Sequence, residues 1–298
     1  MKDAGSVDDV NLVEVDDACL RRWPLPQPDA DGDKEERGRV LIIAGSREMP
    51  GAVILAANAA LNAGAGKLTV ATAASVARLV ATAIPEARVI ELAETEAGGI
   101  DQSAVERVLE VLQSADAVLI GPGMQDEPAV CDFCAVLLHD LSTPVLVLDA
   151  AAMGVVTQAP KFSSPTILTP HAGELAHLTG RDKDDITAQP ADAAVHASRL
   201  WNAVVALKGA TTFIAAPDGA HWRHDGGNVG LAISGSGDVL AGVIAGLASR
   251  GASAEQAVVW GVALHARAGE RLATRSGPLG YLARDLSAEL PALMKALA

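Results

Sequence analysis

From residue 38 onward the chain alternates short apolar runs with longer stretches of helical periodicity. Val40-Leu41-Ile42-Ile43-Ala44 predicts a strand, followed by a glycine turn and an Ala-rich helix from about Gly51 to Asn62. Further strands are predicted at Lys67–Thr72, Ala87–Leu92, Ala117–Ile120, Val145–Leu148, Thr166–Leu168 and Val204–Leu207. A strand that is apolar at nearly every position is buried on both faces, so the pattern predicts an α/β fold with a mostly parallel central sheet and helices on both faces. Thr212–Ala215, turning at Pro217-Asp218-Gly219 into His221-Trp222-Arg223, predicts a hairpin added antiparallel at one edge of the sheet. Beyond Asp238 the pattern is helical, with one helix to about Ser249, a second from Ser253 to about Thr274, and a third into the C-terminus. Residues 1–37 are polar and carry a Pro-rich stretch, which reads as an N-terminal arm and linker. Residues 38–298 then form one domain without internal repeats.

Candidate chemistry concentrates where Ser234-Gly235-Ser236-Gly237-Asp238 runs into the apolar stretch Val239–Leu247. Glycines before a helix let backbone N–H groups turn toward one point, where the helix dipole also favours an anion. Asp238 at that point has two readings. It is an ordinary cap, or it is a base that takes a proton from a hydroxyl attacking phosphorus. In an open parallel sheet, ligands bind beyond the carboxyl ends of the strands. The polar residues at those predicted ends are Gly45-Ser46, Gly121-Pro122-Gly123, Asp149, Thr169 to Glu174, and Lys208-Gly209-Ala210-Thr211. Each turn alone is unremarkable; several on one edge, with Lys208 the only cation among them, describe a site.

Charge narrows the partners. A net charge of −14 argues against nucleic acid and against an anionic membrane surface, so an anionic substrate must be held locally. Three cysteines do not make a disulfide framework, and no secretory h-region is visible at the N-terminus, which together suit the cytoplasm. Cys131 and Cys134 have C-x-x-C spacing but lie in a helical pattern with no second ligand pair, and read as core residues. His177, His196 and His265 fall on helix patterns without partner spacing and read as surface or packing residues. Gly242 and Gly246 read as allowing close contact of a helix with the sheet.

The segments Gly38–Ser46, Pro50-Gly51-Ala52, Ile120–Gly123, Val147–Ala150, Leu168–Glu174, Leu207–Thr211 and Gly235–Gly242 occur in the order of a known family. The chain resembles the ADP/ATP-dependent NAD(P)H-hydrate dehydratases of the ribokinase-like superfamily. The resemblance implies repair of NADH hydrate and NADPH hydrate: ADP or ATP phosphorylates the ring hydroxyl, and loss of phosphate restores NADH or NADPH. It implies Asp238 as the base, with Gly235, Ser236 and Gly237 forming the anion hole. Nucleotide binding falls to Lys208, Gly209, Ala210, Thr211, Thr212, Gly237 and Asn228, and hydrate binding to Ala52, Gly121, Gly123, Asp149, His171 and Asp238. Glu174 is implied as a contact to Mg²⁺ through water, since His171 stands where the wider superfamily has an Asn three residues before a Glu. A homotetramer and a separate NAD(P)H-hydrate epimerase are also implied. Met49, Gln125 and Ala151 depart from the family's pattern. Two other readings stay open: a small-molecule kinase of the hydroxyethylthiazole-kinase type, and a catalytically silent nucleotide sensor.

Overall fold

A computed structural model describes residues 12–29, 36–138, 144–158 and 161–297. Its ten strands are β1 (Leu12–Glu14), β2 (Arg39–Ile43), β3 (Lys67–Ala73), β4 (Ala87–Leu92), β5 (Ala117–Ile120), β6 (Val145–Leu148), β7 (Thr166–Leu168), β8 (Val204–Leu207), β9 (Thr211–Ala215) and β10 (His221–Asp225). The helices are α1 (Asp17–Arg22), α2 (Pro50–Asn62), α3 (Ala74–Ala83), α4 (Val105–Leu112), α5 (Glu127–Leu138), α6 (Ala172–Thr179), α7 (Lys183–Ala188), α8 (Pro190–Trp201), α9 (Ser236–Ser249), α10 (Ala254–Ser276) and α11 (Ala283–Leu297). One sheet runs β1-β10-β9-β8-β7-β6-β5-β2-β3-β4. Pairing is antiparallel only at β8–β9 and β9–β10.

Alternation along each buried strand splits the core in two. In β2, Val40 and Ile42 join a cluster built with α2, α9, α10 and α11, whereas Leu41 and Ile43 join a cluster built with α4, α5 and α8. In β5 the same division separates Ala117 and Leu119 from Val118 and Ile120. Both faces are therefore covered by helices, as the unbroken apolar runs require.

Two expectations are corrected. The hairpin β9–β10 is not the edge, because β1 pairs in parallel outside β10, with Leu12 opposite His221 and Glu14 opposite Arg223. The stretch read as arm and linker is, across its described residues 12–29, part of the fold. Leu20 is fully buried, and Trp23 stacks on Trp222 with ring centroids 6.0 Å apart. The Trp23 carbonyl accepts from Trp260 Nε1 at 2.8 Å. The polar surroundings of a three-residue strand hid it, because its pairing partner lies some two hundred residues away.

Gly242 and Gly246 also act otherwise than expected. A Cβ on Gly242 would overlap the Ala56 carbonyl, and one on Gly246 would lie 2.5 Å from the Ala60 oxygen. The glycines thus seat α9 against α2, helix on helix, rather than against the sheet. Cys131 and Cys134 are buried in α5 as core residues, and burial pushes both thiols up.

Candidate active site

Strands β2, β5, β6, β7 and β8 are neighbours and mutually parallel, so their carboxyl ends share one edge. Along that edge stand Gly45-Ser46, Gly121 to Gly123, Asp149, Thr169 to His171, and Lys208. Several backbone features fix the row. Lys208 N–H donates to the Pro170 carbonyl at 2.8 Å, and Gly45 N–H to the Pro122 carbonyl at 2.8 Å. Gly121 adopts φ 127°, and a side chain there would overlap the Asp149 carbonyl. Ala150 holds φ 48°, a costly conformation for a non-glycine residue, immediately after Asp149.

Asp149 and Lys208 form the charged centre. The Asp149 side chain is 5% exposed; its Oδ1 accepts from Thr169 Oγ1 at 2.6 Å and from Lys208 Nζ at 3.4 Å. Lys208 Nζ also lies 3.8 Å from Glu174 Oε2. Burial pulls Lys208 toward neutrality, but Asp149, Glu174 and Asp238 together outweigh it and hold the ammonium above its ordinary pKa.

Gly235, in the left-handed region at φ 87°, is the residue that caps α9, so Asp238 falls in the first helical turn and makes no capping hydrogen bond. The cap reading of Asp238 therefore fails. Ser236 N–H is committed to the Ile233 carbonyl at 3.2 Å, and Val239 N–H to Gly235 at 3.1 Å. Among the described residues the Gly237 and Asp238 N–H groups have no backbone partner, which leaves them for an anion. A Cβ on Gly237 would lie 3.7 Å from Lys208 Nζ, so glycine brings this backbone close to the ammonium. Burial, reinforced by the Asp149 charge and opposed by Lys208, raises Asp238 from 3.8 to about 6.

A cavity of about 760 Å³ opens beside this turn. His171, Lys208, Gly209, Ala210, Thr212, Asn228, Ser236 and Gly237 line it, as do His224 and His265. Thr211 does not: its hydroxyl donates to Asp225 Oδ1 at 2.5 Å. Asn228 Oδ1 accepts from Gly230 N–H at 2.9 Å and from Tyr281 Oη at 3.0 Å, leaving its buried Nδ2 without a partner. Ala52, Gly121 and Gly123 lie outside this cavity's lining, at the β5 and β2 end of the row. Ala52 and Gly123 pack so closely that a Cβ on Gly123 would lie 2.5 Å from that of Ala52. A second cavity of about 410 Å³ joins His171 and Glu174 to Ala151, Glu127 and His177.

His171 and Glu174 carry a role that sequence reasoning missed. They form a reciprocal capping box on α6: His171 Nδ1 accepts from Gly173 and Glu174 N–H at 3.0 and 3.1 Å, and Glu174 Oε2 accepts from His171 N–H at 2.7 Å. Because Nδ1 is an acceptor, the neutral ring carries its proton on Nε2. The spacing of three residues to a Glu is the capping signal, with an imidazole in place of the usual hydroxyl. His265, read as a surface or packing residue, is partly buried and also makes polar contacts that the sequence did not reveal. It comes from α10, and its Nε2 lies 3.1 Å from Ser236 Oγ and 3.0 Å from the Ser236 carbonyl.

No group of three or more His, Cys, Asp or Glu side chains able to hold a metal occurs among the described residues. Mg²⁺ keeps much of its water and binds through one or two carboxylates together with substrate phosphates. Glu174, partly exposed and 3.8 Å from Lys208 Nζ, fits that donor set.

A mostly parallel, doubly covered sheet with an acid in the first turn of a glycine-capped helix and a lysine at a strand end has the architecture of the ribokinase-like fold. A sequence profile described as NAD(P)H-hydrate dehydratase matches residues 40–292, and the chain belongs to that family. It is 50% identical over 284 residues to the ADP-dependent (S)-NAD(P)H-hydrate dehydratase of Xanthomonas campestris, covering 94% of this chain and 95% of the relative. A Bifunctional NAD(P)H-hydrate repair enzyme of Moorella thermoacetica is 39% identical, and the chain spans 53% of it. A crystal structure of the Bacillus subtilis ADP/ATP-dependent enzyme, grown with ATP/Mg²⁺, superposes with a TM-score of 0.83 at 31% identity, covering 97% of this chain and all of that one. Hydroxyethylthiazole kinase from Pyrococcus horikoshii, with a TM-score of 0.59 at 18% identity, shares the fold alone.

Proposed function

We propose that this chain restores NADH and NADPH from their hydrates by phosphoryl transfer from ADP or ATP to the ring hydroxyl, followed by loss of phosphate. The observation that carries the reading is Asp238: a carboxylate beside a phosphate-binding turn, free of capping duty and raised to about 6. Such a group is ionised at neutral pH yet basic enough to accept the hydroxyl proton as the oxygen attacks. The Gly237 and Asp238 N–H groups receive the transferred phosphoryl group, and Lys208 balances its charge. Gly209, Ala210, Thr212 and Asn228 line the cavity assigned to the nucleotide. Ala52, Gly121 and Gly123 offer the hydrate a surface with little side-chain bulk. His171, on the lining of the cavity beside Lys208, completes the polar contacts assigned to the hydrate. When bound, Mg²⁺ would neutralise the nucleotide phosphates, with Glu174 holding its water shell. Once esterified, the ring oxygen departs as phosphate, a far better leaving group than hydroxide, and loss of a proton from the adjacent ring carbon to solvent restores the double bond.

ADP is the donor named for the Xanthomonas relative, and ATP/Mg²⁺ accompanied the Bacillus crystals, so either fits the proposal. No helix among the described residues is long and apolar enough to cross a membrane. A homotetramer in the cytoplasm, working alongside an NAD(P)H-hydrate epimerase, completes the proposal. The deciding assay supplies the hydrate, Mg²⁺ and ADP or ATP, and follows the absorbance of reduced nicotinamide. Recovery of absorbance with release of inorganic phosphate is expected. A stable phosphorylated product would indicate a kinase, and nucleotide binding without turnover would indicate a sensor.

A further inference from the structure

The hydrogen bonds at His265 fix more than packing. A carbonyl oxygen can only accept, so the 3.0 Å contact between His265 Nε2 and the Ser236 carbonyl places the ring proton on Nε2. That same N–H faces Ser236 Oγ at 3.1 Å, where the hydroxyl can act only as an acceptor. The hydroxyl's own proton is then directed away from the imidazole. Ser236 and His265 both line the cavity that holds Lys208 and Gly237. Ser236 is the first residue of α9, beside the two N–H groups left open for an anion.

We propose that His265 is a positioning residue for phosphoryl transfer: it clamps Ser236 through both oxygens so that the Ser236 hydroxyl becomes a third donor to the transferred group. The inference rests on the reading of the Gly235–Asp238 turn as the phosphoryl site. It adds a donor and the residue that aims it. Burial, opposed by the bond to Ser236 and aided by the Lys208 charge, lowers His265 to about 4, so the ring stays neutral and keeps a single N–H. A charged ring here would donate from both nitrogens, a different hydrogen-bond arrangement from this clamp. Distance in sequence is no obstacle, because α10 packs directly on α9 and carries the ring to the start of the turn.

A double-mutant cycle separates this role from helix packing. His265→Leu and Ser236→Ala are each expected to lower kcat by about a hundredfold to a thousandfold, the range for losing one donor to a developing charge. The dissociation constant for ADP should stay within about threefold, since the contact matters most in the transition state. The double variant should be no more than about threefold worse than the weaker single one. His265→Gln, whose amide N–H reaches the same place, should recover activity to within about fivefold of wild type on that geometry. A readout without turnover uses orthovanadate binding in the presence of AMP, measured by calorimetry, and should show the same non-additive weakening. Losses that multiply in the double variant would overturn the proposal, as would near-normal turnover of Ser236→Ala or a His265→Gln variant as impaired as His265→Leu. Wild-type turnover tests the dehydratase reading separately. If it fails, the vanadate cycle still decides the clamp.

Discussion

Asp238 carries opposite consequences for activity and stability. A base that titrates at about 6 is silenced as pH falls, so kcat/KM should drop below about pH 6 and level off above it. The same shift means that the folded chain binds this proton more tightly than the unfolded chain does. Asp238 therefore lowers stability as pH rises from about 4 through 6. Asp238→Asn should lose about 10²–10⁴ in rate. Yet at pH 7 it should be more stable than wild type by about 1–3 kcal/mol, discounted for partial exposure, with the gain fading by pH 4. Thermal melts at the two pH values, alongside the turnover assay, check both halves. An active variant would leave another group as the base. The neighbours should move the pH profile in opposite senses. Lys208→Met removes the charge that lowers Asp238 and should shift the acidic limb upward, whereas Asp149→Asn removes the one that raises it and should shift the limb downward. A limb that stays in place in both variants would show that Asp238 does not set it.

At the scale of elements, α9 is the part that sequence read best and also the part it left incomplete. Glycines before an apolar run announced a helix start with bare backbone at its first turn, because φ above zero and an uncovered backbone are local requirements. Which N–H groups stay open was not legible, since that depends on Ile233 turning its carbonyl onto Ser236. Nor was the capping box on α6 read from Thr169 to Glu174, because the ligand reading of His171 and Glu174 drew on the same residues. Both roles can hold together, since the backbone cap uses Nδ1 while Nε2 lies 3.7 Å from Glu174 Oε1, beyond normal hydrogen-bond length. The closeness of α2 and α9 also sets Gly235, the cap of α9, against Leu55 of α2. Gly242→Val should therefore cost about 2–4 kcal/mol, as overpacked sites do, and should lower kcat out of proportion to that loss. Differential scanning calorimetry with kinetics well below the melting point would read both effects. Full activity at the lower melting temperature would mean that the α2–α9 contact serves stability alone.

For the molecule as a whole, the core was legible because each buried strand announces itself locally, whereas the closure of the sheet was not. Strand β1 is three residues long with none of them buried, and nothing within it encodes a partner at residues 221–223. What it secures is nonetheless specific. The Val15 carbonyl meets His224 Nδ1 at 3.0 Å, Trp23 and Pro24 carbonyls accept from Gln256 Nε2, and Pro26 accepts from Arg250 at 3.0 Å. Removing residues 1–29 would leave these largely buried donors without partners, each at a cost of about 1–3 kcal/mol where no water reaches them. It would also expose the flank of β10 as an open edge. The loop after β10 carries Gly226, Gly227 and Asn228 to the wall of the cavity proposed for the nucleotide, next to His224. A chain beginning at residue 30 should therefore melt at least ~10 °C lower, given that one kcal/mol shifts a domain of this size by a few degrees. Assayed well below that melting point, its KM for ADP should rise more than its KM for the hydrate, because His224 of β10 lines the cavity proposed for the nucleotide, whereas Ala52, Gly121 and Gly123 lie outside it. Equal changes in both constants would mean that the N-terminal strand supports the fold as a whole and has no particular hold on the nucleotide wall.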